Sequence, residues 1–180
     1  MFSFGNKLFF LKKFIGSLFL ELARWKCTIE VTEQMQRSVM IAAPHTSNWD
    51  FPFAMATLWH KGVNVRYFIK DSYTKGLMGP FFKWTGAIGV DKSKKHNNLT
   101  DFAIDLFDKQ DELVLIVPAE GTRKRVEKWR TGFYRIASEA KVPISLGFLD
   151  FNKKESGVAD VFTPSGDFEK DMKHIQEIYR

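Results

Sequence analysis

The period of the apolar positions changes several times along the chain, and each change marks an expected element. From Asn6 to Lys26 the period is helical. At about 100° per residue, Leu8, Leu11, Ile15, Leu18 and Leu22 share one stripe, with Lys13, Ser17 and Arg24 opposite. Phe9, Phe10 and Leu20 lie off that stripe, so the segment is more apolar than one core contact requires. Beyond it, strand-length apolar runs alternate with helical stretches. Strands are expected at Cys27–Val31, Val39–Ala42, Val63–Ile69, Ala87–Val90, Leu113–Val117, Ile144–Leu149 and Val158–Phe162. Helices are expected at Trp49–Lys61, Lys75–Trp84 (despite Gly79-Pro80), Asn97–Lys109, Gly132–Lys141 and Phe168–Tyr179. In the third of these, Phe102, Ala103, Ile104 and Leu106 are expected to face inward. Leu113–Val117 is apolar throughout, as a strand covered on both faces must be.

Alternating strands and helices predict a single α/β domain whose largely parallel, mixed sheet is flanked by helices. No linker, repeat or low-complexity stretch divides it, so residues 1–26 are expected to form an N-terminal interfacial helix and 27–180 the main domain. The first helix is a poor transmembrane candidate. Lys12 and Lys13 interrupt it, and the uncharged run beyond them, Phe14–Leu20, is seven residues where about 20 are needed. No small-residue cleavage site follows, which argues against a secretory signal. Its surplus of apolar positions favours an amphipathic helix lying in a membrane interface over a terminal helix merely packed on the domain.

Composition sharpens this picture in two places. Aromatic residues make up 15% of the chain, and six of the 18 Phe fall within the first 20 residues. The net charge is +6 and the pI about 9.4, which suits an anionic membrane, a nucleic acid or an acidic partner. The 44% hydrophobic and 27% charged fractions exclude wholesale disorder. A lone Cys27 excludes an internal disulfide and a cysteine-based zinc cluster, and fits a reducing compartment.

Two constellations carry candidate chemistry. The first is Pro44-His45-Thr46-Ser47-Asn48-Trp49-Asp50, directly after an expected strand. In a continuous helix His45 and Asp50 would stand about 140° apart, so they meet only if the chain turns between them. Pro44, Ser47 and Asn48 favour such a turn. Asp50 would then accept from one imidazole nitrogen and leave the other basic. On this motif alone the plainer reading prevails, in which Asp50 caps the next helix and His45 is an ordinary loop residue. The second is Glu120-Gly121-Thr122-Arg123, at the carboxyl end of the most apolar strand, where open α/β sheets bind ligands. Gly121 permits close backbone approach, Thr122 offers a hydroxyl, and Arg123 can hold a phosphate bidentately. A sharp turn with a surface ion pair would use the same residues.

Taken together, His-x4-Asp after an early strand and Glu-Gly-Thr-Arg roughly 70 residues later resemble the glycerolipid acyltransferase family, which includes glycerol-3-phosphate and 1-acylglycerol-3-phosphate acyltransferases. Gly86-Ala87-Ile88-Gly89-Val90-Asp91-Lys92 is similar to that family's second block and Val142-Pro143-Ile144 to its fourth, in the family's order. Three positions differ: Ala119 stands where proline is usual, Lys92 where arginine is usual, and Pro44 where asparagine is common.

The resemblance implies that His45 is a general base on an acceptor hydroxyl and that Asp50 orients it. Arg123, with Gly121, Thr122 and Lys92, would bind the acceptor phosphate, and Glu120 would position Arg123 or the acceptor. Lys70, at another strand end, is a further candidate for the same pocket. The acyl donor would be acyl-CoA or acyl carrier protein, with no metal or other cofactor because a thioester is already activated. A Ser47 nucleophile is superfluous when an exogenous hydroxyl fills that role. Expected partners are therefore the bilayer, the acyl donor and a lysophospholipid acceptor, with the enzyme peripheral on the cytoplasmic face of the inner or plasma membrane.

Three other readings remain in view. The same chemistry on an amino-acid-lipid or glycolipid hydroxyl is disfavoured by the retained cations Arg123 and Lys92. A non-catalytic lipid-binding relative is disfavoured by the intact His45 and Asp50. A nucleic-acid-binding protein is disfavoured because the Phe-rich end lies far from the basic run Arg123, Lys124, Arg125, Lys128 and Arg130. That run fits a headgroup or carrier-protein contact, or a solvated loop. Trp129 is expected to pack, and His60, His96 and His174 to be structural or exposed. Cys27 is expected to be a buried small hydrophobe.

Overall fold

Among the described residues, seven strands form one sheet in the order β1-β7-β6-β2-β5-β3-β4. They are β1 (Lys26–Cys27), β2 (Arg37–Ala42), β3 (Val65–Lys70), β4 (Ala87–Val90), β5 (Leu113–Ile116), β6 (Ile144–Asp150) and β7 (Glu155–Phe162). The helices are α1 (Phe4–Leu22), α2 (Glu33–Gln36), α3 (Asp50–His60), α4 (Asp71–Lys75), α5 (Gly79–Thr85), α6 (Leu99–Asp108), α7 (Gly132–Glu139) and α8 (Phe168–Ile178). This computed structural model describes residues 4–43, 47–91, 99–119 and 129–179.

β2 is central, parallel to β5 on one side and to β6 on the other, and β3 and β4 extend the parallel run. Only β6 and β7 pair antiparallel, with a register shift at Leu146/Gly147, and β1 adds in parallel to β7. The sheet is therefore mixed but largely parallel, as the alternation of elements predicts. Both faces of its centre are buried, and period two divides its side chains. Val39, Ile41, Leu113, Leu115, Ile144 and Leu146 face a core closed by α6, α7 and α8. Met40, Val65, Tyr67 and Val114 face a second core closed by α3 and α5.

Several expectations change. The strand expected at Cys27–Val31 is only Lys26–Cys27, and the chain then turns into α2, capped by Thr32, whose hydroxyl accepts from Met35 N at 3.2 Å. The helix expected at Lys75–Trp84 is two helices, α4 and α5, broken over Gly76–Met78. β7 begins at Glu155 rather than Val158. In α6 the buried side chains are Ala103 and Phe107, while Phe102 is exposed beside Phe68, ring centroids 5.9 Å apart. Cys27 is half-buried.

The largest change concerns α1, which runs antiparallel along the outer side of α3. Gly16 brings them together: a Cβ there would lie 2.5 Å from the Ala56 carbonyl oxygen and 2.8 Å from His60 N. Leu20 is buried with Ala56 and Trp25, and Phe19 packs edge-on against Phe53 at 5.1 Å. Ser17, expected opposite the contact stripe, hydrogen-bonds His60 Nδ1 at 2.8 Å. The contact therefore uses a row of small and medium residues, and the apolar stripe Leu11–Ile15–Leu18–Leu22 is left exposed, with Phe10 and Phe14 beside it. No helix among the described residues is long and apolar enough to cross a membrane.

Candidate active site

The carboxyl ends of β2, β3, β4 and β5 converge on one side of the sheet, and each leads into a segment singled out in the sequence. After β2 the chain reaches Ala43; Pro44, His45 and Thr46 lie outside the described residues. It resumes in a tight turn from Ser47 to Asp50. Ser47 N donates to Asp50 Oδ2 at 2.9 Å, Trp49 N donates to Ser47 Oγ at 3.0 Å, and Asp50 N donates to Ser47 O at 3.3 Å. Asp50 is thus the buried first residue of α3, where the helix's free N–H groups and dipole favour a carboxylate. The cap expected of Asp50 is not what forms: the N-cap is Trp49, with no side-chain cap bond, and the Asp50 carboxylate instead closes the turn back onto Ser47 N. Ser47 supplies both an amide and a hydroxyl oxygen to this turn.

β3 ends at the exposed Lys70, and α4 starts immediately after it. α4 lies against β4 because Gly89 has no side chain; a Cβ there would collide with the Thr74 hydroxyl and lie 2.8 Å from Asp71 Oδ1. The Asp71 carboxylate also pairs with Lys75, and that hydrogen bond holds the Lys75 ammonium above its ordinary pKa. Asp91 follows β4; Lys92 lies outside the described residues.

β5 continues through Val117, whose amide donates to Met40 O at 2.9 Å, to the buried Ala119. Glu120, Gly121, Thr122 and Arg123 lie outside the described residues. Arg130 N donates to Ala119 O at 2.8 Å, which joins the two residues that flank this part of the chain.

Between the ends of β3, β4 and β5 on one side and α6 and α7 on the other lies a cavity of about 530 Å³. Phe68, Ile69, Val90, Ile116, Val117 and Phe133 supply apolar wall. Lys70, Asp91, Thr100 and Arg130 supply its polar groups. The volume falls in the usual range for small-molecule sites. Its lining is thus mostly apolar, with two cations and the Asp91 carboxylate among its polar groups. Of the expected site residues, Lys70 lines this cavity, and Asp50 stands at the neighbouring strand end.

Two residues outside the expected set bear on the site. Arg130, placed by sequence only in a basic run, lines the cavity itself. Tyr179, just after α8, reaches the end of β2: its hydroxyl donates to Gly147 O at 2.8 Å and to Ile41 O at 3.1 Å. Burial pushes that hydroxyl well above the usual phenol range. Trp129 packs on Tyr179 with ring centroids 5.7 Å apart. No local pattern announces Tyr179, because both carbonyls it meets are distant in sequence. Other expectations for single residues hold: Trp129 packs, His60 hydrogen-bonds Ser17, and His174 pairs with Asp160 at 2.6 Å. His96 lies outside the described residues.

No curated protein matches the chain. A family model described as Acyltransferase matches residues 26–145, two thirds of the 180 residues, from β1 to the start of β6. The match takes in the His-x4-Asp segment, the β4 block, the Glu-Gly-Thr-Arg segment and Val142-Pro143-Ile144, and with it the chain belongs to the acyltransferase family, that of the PlsC-type glycerolipid acyltransferases.

Proposed function

We propose that the protein transfers a fatty acyl group from an acyl thioester, acyl-CoA or acyl carrier protein, to the hydroxyl of a lysophospholipid or glycerol-phosphate acceptor in phospholipid synthesis. The observation that carries this reading is the cavity, whose apolar wall adjoins Lys70 and Arg130 where the motif-bearing strands end. Its walls suit an acyl chain, and its cations suit a phosphate.

In this reading His45 removes the proton from the acceptor hydroxyl, and Asp50 orients and stabilises the imidazolium. The oxygen attacks the thioester carbonyl, a tetrahedral intermediate forms, and its collapse breaks the carbon–sulfur bond. The proton on His45 passes to the departing thiolate, so an ester and a free thiol are the products. Arg123, Gly121, Thr122 and Lys92 hold the acceptor phosphate, with Lys70 contributing charge and Glu120 positioning Arg123. No metal or other cofactor takes part, since the thioester is activated already. The exposed apolar stripe of α1 supports peripheral attachment to a bilayer, and the thioester donors place the reaction on the cytoplasmic face of the inner or plasma membrane.

The test is thiol release from palmitoyl-CoA by the purified protein in vesicles, with glycerol-3-phosphate and 1-acylglycerol-3-phosphate as acceptors. Acceptor-dependent turnover that falls at least a hundredfold in His45→Ala is the expected result. Silence with both acceptors, repeated with acyl carrier protein as donor, would leave an amino-acid-lipid or glycolipid acceptor, or a binding-only relative, as the better reading.

A further inference from the structure

We infer that the α4–α5 turn is a second lipid-contacting element, which sets the opening of the cavity against an anionic bilayer. This rests on the membrane-acting reading above and adds to it a surface that the first helix does not supply.

Leu77 is 98% exposed at the tip of this turn, with Met78, Tyr73 and Phe81 exposed around it. The tip is a built structure. Gly76 N donates to Ser72 O at 3.2 Å and Gly79 N to Gly76 O at 2.8 Å. Gly79 sits directly on the Thr74 backbone, where a Cβ would clash. A turn this well fixed holds its apolar side chains outward, and water gives no return for that arrangement.

Position connects the tip to the site. α4 springs from Lys70, which lines the cavity, and leans on Gly89 one residue before the cavity-lining Val90. Its five residues span only about 8 Å, so the tip stands close to the cavity wall that Lys70 supplies. The tip is also continuous with α1. Phe81 lies 6.1 Å from Trp84, Trp84 lies 5.1 Å from Trp59, and Lys12 Nζ lies over both indoles at 5.6 and 5.8 Å.

Charge selects the occupant. Lys12, Lys13, Lys61, Arg66 and Lys83 lie along this side, and beside the tip the carboxylates Asp71 and Asp91 act on Lys75, which pairs with Asp71. Burial and then Arg66 hold Lys12 below its ordinary pKa, and burial, Lys61 and Lys13 do the same to His60. Cations are therefore crowded where α1 meets the Trp59–Trp84 end of this surface. An apolar surface rimmed by cations matches anionic headgroups over acyl chains. A second copy of the chain would bring like charge to like charge.

The experiment is flotation of the full chain with phosphatidylcholine vesicles, with and without phosphatidylglycerol. Leu77→Asp/Met78→Asp is compared with Phe10→Asp/Phe14→Asp and the unmodified protein. The tip variant is expected to lose about tenfold in partitioning to the anionic vesicles and to lose activity on bilayer-held acceptor. It is expected to keep its melting temperature and its activity on short-chain, water-soluble substrates. A fluorophore on Leu77→Cys, in a Cys27→Ser background, is expected to shift to the blue on adding vesicles. Unchanged partitioning with an unshifted fluorophore, while the α1 variant loses binding, would overturn this inference and leave the membrane reading standing. Failure of the unmodified protein to bind any vesicle would sink both. A concentration-dependent dimer abolished by the tip variant would assign the surface to a second copy instead.

Discussion

One sheet carries two differently finished coats. On one face α6, α7 and α8 bury Ala103, Phe107, Phe133, Ile136 and Ile175, and turn acidic residues such as Asp101, Asp105, Asp108 and Glu177 outward. A buried polar cluster locks that coat: Asp171 accepts from Tyr134 Oη at 2.8 Å, Ser165 N at 2.7 Å and Ser165 Oγ at 2.8 Å. On the other face α3 and α5 bury a comparable core, but α1 and the α4–α5 turn cover it with exposed Phe, Leu and Met among cations. Burying sheet residues is a demand both faces meet in the same way. The outer surfaces differ in what they expose, acidic side chains over α6 and α8 against apolar side chains and cations over α1 and the α4–α5 turn, the side that the proposed function sets against a bilayer.

The strongest test of this contrast is on the acidic side. Phe133 is fully buried in α7 and also lines the cavity. Phe133→Ala should cost about 3–5 kcal/mol in denaturant unfolding and weaken long-chain donor turnover besides. A loss below about 1 kcal/mol would mean that this coat is no better packed than the other. Next is the α1–α3 seam. Gly16→Leu places a side chain where even a Cβ meets the Ala56 carbonyl, and should cost about 1–3 kcal/mol as α1 is pushed off α3. An unchanged midpoint would show that α1 does not need the close approach.

That seam also shows how far the sequence could be read. β2, β3 and β5 were legible as short apolar runs, β5 most plainly, because a strand covered on both faces is apolar throughout. α1 was legible as an amphipathic helix, but the side it presents was not. Periodicity assigns the largest apolar residues to one stripe; packing chose the stripe containing Gly16, because small residues let two helix backbones approach. The break between α4 and α5 was signalled by Gly76 and Gly79-Pro80, and the helical periodicity on either side obscured it. At the site, Asp50 and Lys70 could be named because each ends or begins an element beside a recognisable motif. Arg130 and Tyr179 could not, since only the closing of the Ala119–Arg130 pair and the return of α8 bring them there.

A smaller effect separates the coats by pH. Burial alone would raise the Asp171 carboxyl, but the hydrogen bonds from Ser165 and Tyr134 outweigh it and hold the carboxyl below its ordinary value. A carboxyl depressed in the folded state stabilises above its unfolded pKa, near 4, and that contribution fades as pH falls through the lower, folded value. Unfolding free energy measured from pH 6 downward should therefore decline, and Asp171→Asn should flatten part of the slope. An unchanged slope would remove the charged cluster from the account of how this coat is locked.

The least effect is expected where the contrast matters most. Phe14 is 64% exposed on the outer side of α1, so its ring contributes little to the folded chain alone. Phe14→Gln should change unfolding free energy by no more than about 0.5 kcal/mol, the same as Asp105→Asn on the outer side of α6. In water the two coats should thus be indistinguishable to surface substitution. With anionic vesicles present they should part: Phe14→Gln should weaken retention, while Asp105→Asn should leave it unchanged. A loss above about 1 kcal/mol for Phe14→Gln in water would mean that the chain itself covers this ring. The apolar side would then be a second interior, and the bilayer would lose its claim to it.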